Sequence, residues 1–239
     1  DSLGDSAITT ATSINALAES VAEAVQIAGS VSSPITTYKM ANTIDPDDYL
    51  AINMEKAEAV LGASNSIDFK SGLSISDSVT EIVTNSDVIT SNSISSTAVH
   101  ATGATLSDAL NMLNDTPSTV GQFAGSFDLN STIISDSNLT LTSLEQISAV
   151  LSADNAPAID TISFSLSASE AVSGSSLATQ LTNQFAGAET LTVNDAASVN
   201  DAVVLHASTA VDSYNLVAGF TAPAAGVSIQ EAKALFGAS

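Results

Sequence analysis

The chain has 239 residues, with 26 acidic residues against four basic ones and a formal net charge of −22. It contains no cysteine and no tryptophan, and 44% of its residues are hydrophobic. These figures exclude nucleic-acid binding, which needs Lys and Arg to neutralise phosphates, and they exclude disulfide scaffolds and thiolate metal sites. They also exclude polybasic attachment to anionic membranes, and they argue against disorder, since disordered acidic chains are poor in apolar residues.

The polar surface must come mainly from hydroxyl groups. Only 13% of the residues are charged, whereas Ser and Thr make up roughly a quarter of the chain. Because hydroxyl groups need no ion pairing, this composition suits a salty setting, and we expect an extracellular or cell-surface protein. The apolar runs are only a few residues long, so no membrane insertion is expected. The chain starts with Asp1 rather than Met, which predicts a processed product or an excerpt of a larger protein.

Residues 1–30 differ from the rest of the chain, because no strand pattern is evident there. Apolar residues recur instead at three- and four-residue spacing: Ile14, Leu17, Val21, Ala24 and Ala28. This spacing predicts one amphipathic helix from Ser6 to Ala28. Such a helix suits either a cap over the open end of a repeat fold or an element that docks on a neighbouring subunit.

From residue 31 onward a short motif recurs about seven times. Two apolar residues flank a small or polar one, a polar residue follows, and apolar residues then recur at helical spacing. The alternation predicts a strand with one face on a core, and the later spacing predicts a helix. The polar residue in fourth place suits a helix N-cap, since its oxygen accepts a backbone N–H. The seven fourth positions are Asn53, Ser76, Ser107, Thr142, Ser167, Asn194 and Gln230, about 30 residues apart on average.

Reciprocal capping boxes are predicted at two of these positions, Thr142 with Glu145 and Ser167 with Glu170. Strand–helix units in series predict parallel strands joined by crossover helices. The preferred fold is therefore an α/β repeat solenoid of about seven stacked units with a parallel sheet across residues 31–239. A compact doubly wound α/β sheet is the alternative, and the aromatic content of only 4% favours the solenoid.

One acidic cluster is a candidate metal site. Asp45, Asp47 and Asp48 stand around Pro46, and calcium takes carboxylate oxygens that a turn can present together. The spacing of an EF-hand loop is absent, and a turn leading into a helix is the preferred explanation of the cluster. Calcium is therefore the one cofactor that the sequence suggests.

Catalytic motifs are absent from the sequence. His100 and His206 are the two histidines, and no Gly-x-Ser-x-Gly turn, phosphate-binding loop or dinucleotide fingerprint accompanies them. A sugar-cleaving groove needs paired carboxylates with basic or aromatic residues, and the chain has neither Trp nor Arg. We expect a protein that is not an enzyme.

Three segments match the acceptor pattern for N-glycosylation, beginning at Asn114, Asn130 and Asn138. In a chain this rich in Asn, Ser and Thr, chance matches are expected. Asn114 and Asn130 are the better candidates, because Asn138 adjoins a predicted strand.

The units Leu73-Ser74-Ile75-Ser76-Asp77-Ser78-Val79 and Leu191-Thr192-Val193-Asn194-Asp195-Ala196-Ala197 resemble repeats of large secreted bacterial surface proteins, including cyanobacterial and haemolysin-like ones. The resemblance extends over most of residues 50–239. It implies an exported, non-enzymatic component of a surface or extracellular matrix. The Gly- and Asp-rich nonapeptides of calcium-binding β-rolls are missing, so the resemblance implies no calcium site.

The leading hypothesis is a structural extracellular protein that assembles with copies of itself into a filament, matrix fibre or surface layer. Open-ended repeat folds stack, and head-to-tail contacts then propagate without closing. The predicted joint places the N-terminal segment against the last unit, with these interface residues: Ile14, Leu17, Val21, Leu235 and Phe236. The alternative is an adhesin-type module that binds a glycan or a surface, with calcium as a possible requirement.

Overall fold

The computed structural model describes residues 14–30, 35–114, 119–159, 162–167, 170, 190–196, 198–207, 213–221 and 226–238. Within these ranges the chain is a mixed α/β protein with short parallel sheets, which confirms the predicted class of strand–helix units. The chain divides into two compact units. The first comprises Asp1–Gly103 and Asp115–Phe127, and the second comprises Ala104–Asn114 and Asp128–Ser239.

The described strands are β1 Ile14–Ala18, β2 Ile35–Met40, β3 Ile75–Ser78, β4 Val99–Ala104, β5 Ser126–Leu129, β6 Thr140–Leu141, β7 Ser163–Ser167, β8 Thr190–Ala196 and β9 Ser213–Leu216. The described α-helices are α1 Val21–Gly29, α2 Met54–Gly62, α3 Ile67–Lys70, α4 Val79–Thr84, α5 Ser86–Ser91, α6 Leu106–Asn114, α7 Ser131–Ile134, α8 Leu144–Leu151, α9 Val199–Ala207 and α10 Ile229–Phe236. None of these helices is long and apolar enough to cross a membrane.

Strands that are neighbours in the sheets are also neighbours in the sequence. The orders are β1-β2, β3-β4-β5 and β6-β7-β8-β9, and each pairing with a described register is parallel. Paired positions lie from 20 residues apart, as for Ala196 and Leu216, to 27 apart, as for Ser163 and Thr190. Within each sheet, successive strands are therefore paired at a shorter interval than the predicted mean of about 30. We call a strand together with the helix that follows it a coil.

The core is built from the inward-facing residues of these strands and from one face of each helix. No polar or charged side chain is buried among the described residues. Each large aliphatic or aromatic side chain that is fully buried stabilises the fold by about 1.5–3 kcal/mol. The inward-facing strand residues include Ile75, Val99, Phe127, Leu141 and Phe164.

The N-terminal segment departs from the prediction of a single helix. Ile14–Ala18 form β1, which pairs in parallel with β2, and helix α1 begins only at Val21. The Ser20 side chain accepts the backbone N–H of Glu23 at 3.2 Å and fixes this start. The apolar spacing was ambiguous because small residues at alternate positions, such as the buried Ala18, satisfy a strand equally well. The part of the predicted helix before Ile14 lies outside the described residues.

Two of the predicted helix caps are confirmed. The Asn53 side chain accepts the N–H of Lys56 at 3.1 Å at the start of α2. The Ser167 hydroxyl donates to the Glu170 carboxylate at 2.6 Å, and Ser167 accepts the Glu170 N–H in return at 3.4 Å. The predicted capping box at Ser167 therefore exists.

The other predicted caps are displaced along the sequence by one to four residues. Helix α8 is capped by Ser143 instead of the predicted Thr142. The Ser143 hydroxyl accepts the N–H of Gln146 at 3.2 Å, and the Gln146 side chain accepts the N–H of Thr142 at 2.7 Å. The remaining four predicted caps were Ser76, Ser107, Asn194 and Gln230. The residues that cap in their place are Ser78, Thr105, Ser198 and Ser228. Ser and Thr are so frequent that several residues near each helix start offer the same oxygen.

Two asparagines bond to the last residue of a strand through both ends of the side-chain amide. Asn65 accepts the N–H of Met40 and donates to its carbonyl, each at 2.9 Å. Asn155 makes the same pair of bonds with Leu129, again at 2.9 Å. Because Met40 ends β2 and Leu129 ends β5, each amide completes the backbone pairing of the last strand in its sheet. We call these two residues the asparagine clamps.

Replacing either asparagine clamp by alanine is expected to lower the free energy of unfolding by about 1–3 kcal/mol, since a backbone donor and acceptor both lose their partner. Urea unfolding of Asn65→Ala and Asn155→Ala, followed by circular dichroism, measures this. Asn138→Ala is the matched control, because Asn138 is exposed and its amide bonds only to the neighbouring Ser137. Equal midpoints for the clamp variants and the control would contradict a role for the clamps.

Candidate assembly surface

Three segments of the chain repeat one another in sequence and local structure, and we call them the first, second and third junctions: residues 51–63, 141–153 and 226–238. In each, a side chain caps a helix by accepting the backbone N–H three residues on. The caps are Asn53, Ser143 and Ser228, and the helices are α2, α8 and α10. The junctions end in the related sequences Ala59-Val60-Leu61-Gly62-Ala63, Ala149-Val150-Leu151-Ser152-Ala153 and Ala234-Leu235-Phe236-Gly237-Ala238.

In the first and third junctions, a tyrosine from a strand earlier in the chain donates a hydrogen bond to the end of the junction helix. The hydroxyl of Tyr38, in β2, donates to the carbonyl of Ala59 in α2. The hydroxyl of Tyr214, in β9, donates to the carbonyl of Ala234 at the matching position of α10. Both carbonyls belong to the last four of their helix, which have no partner within the helix. The tyrosines therefore join each helix end to the preceding strand in the same way.

The backbone before these two helices is also alike. Ala51 has φ of 49° and Gly226 has φ of 85°, so each junction begins with a residue in the left-handed region. This conformation costs an alanine roughly 1 kcal/mol or more and costs glycine almost nothing. The first and third junctions thus share a left-handed residue at the position two residues before the helix cap.

The coil that follows α2 covers the first junction. The N–H of Ile52 donates to the carbonyl of Ser74 at 3.1 Å, and the N–H of Ser76 donates to the carbonyl of Ile52 at 2.9 Å. The N–H of Met54, the first residue of α2, donates to the carboxylate of Asp77 at 2.8 Å. The coil β3–α4 thus supplies a parallel backbone partner and an anionic acceptor at the positive end of the helix.

The second junction is covered in the same manner. Strand β6 pairs in parallel with β7, and the N–H of Leu144, the first residue of α8, donates to the Glu170 carboxylate. The pKa of Glu170 lies below its ordinary value, mainly because the Ser167 hydroxyl donates to it, and further because the N–H groups of Ser167 and Leu144 do so. In both the first and the second junction, a carboxylate from later in the chain therefore accepts the N–H of the first residue of the junction helix.

The third junction lacks such a cover among the described residues. No described residue pairs with the backbone of Val227, and none accepts the N–H of Ile229. In the first junction three apolar positions are buried: Ile52, Met54 and Leu61, which are 5%, 2% and 7% exposed. The same positions of the third junction are open: Val227, Ile229 and Phe236, which are 38%, 79% and 90% exposed.

The five residues predicted to form an assembly joint differ in exposure. Leu17 is 58% exposed and Phe236 is among the most exposed apolar side chains described, whereas Leu235 is half-buried. Val21 is buried within the chain as the first residue of α1, so its side chain does not lie on this surface. Ile14 begins β1, and its side chain lies outside what the structure describes.

Val227 and Ile229 lie in the last unit, which the sequence analysis placed at the predicted joint, but they were not among its five interface residues. The signal that reveals them is the match between the ends of α2 and α10, Ala-Val-Leu-Gly-Ala and Ala-Leu-Phe-Gly-Ala. This match aligns Val227 with the buried Ile52 and Ile229 with the buried Met54.

The predicted metal-binding residues form a turn. Asp45 precedes the 3₁₀ helix Pro46–Tyr49, and its carboxylate accepts the N–H of Asp47 at 3.1 Å. In the part of the chain that the structure describes, which includes Asp48, no group of three or more His, Asp or Glu side chains is placed to hold a metal ion. Calcium binding remains a prediction without geometric support.

The two histidines contact neighbouring elements. The Nδ1 atom of His100, in β4, lies 2.8 Å from the Ser126 hydroxyl oxygen in β5. The ring of His206, in the last turn of α9, stands edge-on to Tyr214 with 6.3 Å between ring centroids. These contacts link adjacent strands and pack a helix against a strand, as expected for structural histidines.

The candidate glycosylation residues have different surroundings. Asn114 is exposed at the end of α6, and the Thr116 of its acceptor pattern lies outside the described residues. Asn130 caps α7, and its side-chain oxygen accepts the Ile133 N–H at 3.0 Å and the Thr132 hydroxyl at 2.9 Å. Asn138 is exposed in a turn.

No protein-family model matches the chain, and no curated protein sequence or solved structure matches it either. The resemblance to repeats of secreted bacterial surface proteins therefore stays a prediction from short motifs. The geometry of the three junctions is the basis for a functional proposal.

The tyrosine contacts predict a dependence of stability on alkaline pH. The pKa of Tyr38 is raised above 10.0 because burial desolvates the phenolate and, further, because Glu58 repels it; burial likewise raises the pKa of Tyr214. Each contribution is present below pH 10, the ordinary value, and is lost as the pH rises through the raised pKa. We expect the urea midpoint of unfolding to decrease as the pH rises above about 10. The decrease should be smaller in the double variant Tyr38→Phe/Tyr214→Phe than in the unaltered protein.

At neutral pH each of these two substitutions should cost about 1–2 kcal/mol, since a helix carbonyl loses its donor. The control is Tyr49→Phe, because the ring of Tyr49 packs edge-on against Phe69 and serves mainly as an apolar surface. A loss in Tyr49→Phe as large as in Tyr38→Phe would show that the hydroxyl contact contributes nothing.

Proposed function

We propose that this chain is a structural, self-assembling extracellular protein, a subunit of a filament, matrix fibre or surface layer that forms by head-to-tail association. The observation that carries the proposal is the open face of the third junction. Ile229 and Phe236 stand exposed at positions where the matching residues of the first junction are buried. Burying side chains of this size stabilises a contact by about 1.5–3 kcal/mol each, so the face favours a partner.

The proposal includes a finer description of the fold, a solenoid in which each coil stacks on the next. The sequential order of parallel strands supports this, and so does the interval of 20–27 residues between paired positions. A coil in a solenoid is stable only when neighbours cover it, so we expect the open face of the third junction to bind a matching coil, which we propose is supplied by a second copy. Head-to-tail contacts between copies then repeat without closing.

The charge of the chain sets the conditions for assembly. Each copy carries a formal charge of −22, so copies repel one another at low ionic strength. The joint must overcome this repulsion through apolar contact and screening by salt. A hydroxyl-rich surface with few charged residues suits the extracellular setting that we propose.

The decisive test removes the apolar face without disturbing the fold. Phe236→Ser should leave the free energy of unfolding within about 0.5 kcal/mol, because the ring is exposed in the single chain. We expect electron microscopy to show filaments or sheets of the unaltered protein and none of Phe236→Ser. Ile67→Ser is the matched control, since Ile67 is 77% exposed on α3 and is not one of the residues of the three junctions. Assemblies that persist in Phe236→Ser would remove the proposed joint.

Ionic strength provides a second test. Raising NaCl from about 0.01 M to about 0.15 M shortens the screening length from about 30 Å to about 8 Å, so assembly should increase. Analytical ultracentrifugation at both concentrations measures the shift, and a series with chelator separates screening from a divalent cation. Assembly that is strongest at low salt would contradict the proposal. A monodisperse monomer that binds glycans would favour the adhesin-type module.

A further inference from the structure

A groove in the first compact unit is lined by α5, by the turn after it and by the end of the 3₁₀ helix Val120–Gln122. Its volume is about 390 Å³, within the roughly 300–1,000 Å³ that is typical of small-molecule sites. The buried part of the lining is apolar, since Ile89 is 3% and Phe123 is 8% exposed. The polar residues that line it are Ser86, Asp87, Thr90, Ser93 and Gln122. Apolar surface with a few convergent polar groups is the usual composition of a binding site.

The turn that lines this groove holds a serine in a conformation that favours glycine. The N–H of Ser93 donates to the carbonyl of Thr90 at 3.1 Å, and the N–H of Ile94 donates to the carbonyl of Ile89 at 3.0 Å. This pair of hydrogen bonds forms a Schellman motif, in which glycine usually occupies the left-handed position. Ser93 occupies that position with φ of 52°. The chain therefore keeps a side chain where a β-carbon is unfavourable.

The polar groups of the groove are not used up by the protein itself. The Ser93 hydroxyl and the Asp87 carboxylate are exposed, and neither has a described hydrogen-bond partner. The Thr90 hydroxyl donates to the carbonyl of Ser86 at 3.1 Å, so its oxygen remains as an acceptor. No contact among the described residues offsets the backbone strain at Ser93. Strain of this kind in a residue that lines a cleft points to a ligand.

The charge of the groove restricts the class of ligand. Asp87 is the charged residue among those that line it, and the whole chain carries −22, so an anion is disfavoured. An organic cation is usually held by the open faces of several aromatic rings, whereas the Phe123 ring is buried. A neutral ligand is therefore favoured.

The mixture of donors and acceptors identifies the ligand further. Sugar hydroxyls both donate and accept, so they match a carboxylate, several hydroxyls and an amide, while the C–H face of the ring suits an apolar surface. We infer that the groove binds a neutral pyranose ring, either free or as one unit of a polysaccharide. Ser93 and Asp87 bond to its hydroxyls, and Ile89 and Phe123 supply the apolar surface beneath it.

The variant Ser93→Gly separates binding from stability. Glycine adopts the left-handed conformation freely and keeps both backbone hydrogen bonds, so the urea midpoint should rise. The variant lacks the hydroxyl, so the dissociation constant for the sugar should increase about threefold to tenfold. A serine that served only the turn would be replaced with a gain in stability and no change in binding, and equal constants would overturn its assigned role.

Amide chemical shifts of the isotope-labelled full chain, titrated with methyl glucoside, methyl galactoside and methyl mannoside, measure the binding. Low salt keeps the copies apart during the titration. We expect shifts at Ser93, Ile94 and Gln122 with at least one glycoside, and a dissociation constant on the order of 1 mM, as suits an open groove. Ser95→Ala should bind equally well, because Ser95 is exposed, does not line the groove and bonds to Thr97 at 2.9 Å.

Two further arms define the ligand. Tighter binding of a linear tetrasaccharide of the same sugar indicates a polysaccharide, and equal binding indicates a free sugar. In Asp87→Asn the amide still accepts a hydrogen bond, so a neutral sugar should bind within about threefold of the unaltered protein. Shifts of the same amides by tetramethylammonium, lost in Asp87→Asn and without any response to the glycosides, would overturn the assignment of a sugar.

Sugar binding and assembly are tested independently. Ser93→Gly leaves the third junction unchanged, so filaments or sheets should persist in this variant while sugar binding weakens. No shift with any glycoside up to about 0.1 M, roughly a hundred times a millimolar dissociation constant, overturns the groove as a sugar site and leaves the proposed function standing.

Discussion

Backbone hydrogen bonds between successive coils are the constraint on which the rest of the structure depends. An unpaired N–H or carbonyl away from water costs about as much as a lost hydrogen bond, so each strand needs a neighbour along its edge. Ile52 shows the arrangement, since it pairs with the strand that begins some twenty residues later and becomes buried as a result. The stability of a coil is thus partly supplied by its successor. At the third junction no described residue pairs with Val227, the counterpart of Ile52, and Val227 is 38% exposed.

The acidic composition is explained by a related feature. Several of the described carboxylates accept backbone N–H groups at helix starts. Glu23 accepts the N–H of Glu19 at 2.7 Å, and the pKa of Glu231 is lowered first because the backbone N–H of Ser228 donates to it. A helix N-terminus stabilises an anion without any cation nearby. Many coils with short helices therefore accommodate many acids, and four basic residues suffice.

Short-range patterns in the sequence were sufficient to predict the class of fold and the kind of residue that caps a helix. They were insufficient to predict where each strand and cap lies along the chain. The class of parallel strand–helix units, the cap at Asn53 and the capping box at Ser167 all follow from short-range patterns. Strand β1 was missed because Ile14 and Leu17 fit a helical period while small residues between them fit a strand. The exposure of Ile229 could not be predicted locally, since the similar helix α2 buries its counterpart Met54. Whether a following coil covers a helix is a long-range property, and only comparison of the three junctions reveals it.

The asparagine clamps have a consequence for how such a chain grows in evolution. A side-chain amide that bonds like a peptide group ends one sheet while the backbone continues into the next, so the chain is divided into blocks. Asn65 and Asn155 lie 90 residues apart, and each follows a junction of the same design. Duplication or deletion of one block would join a clamp to a junction that already fits it, leaving the hydrogen bonds at the seam intact. The length of the protein can therefore change in steps of a whole block without a new core having to arise.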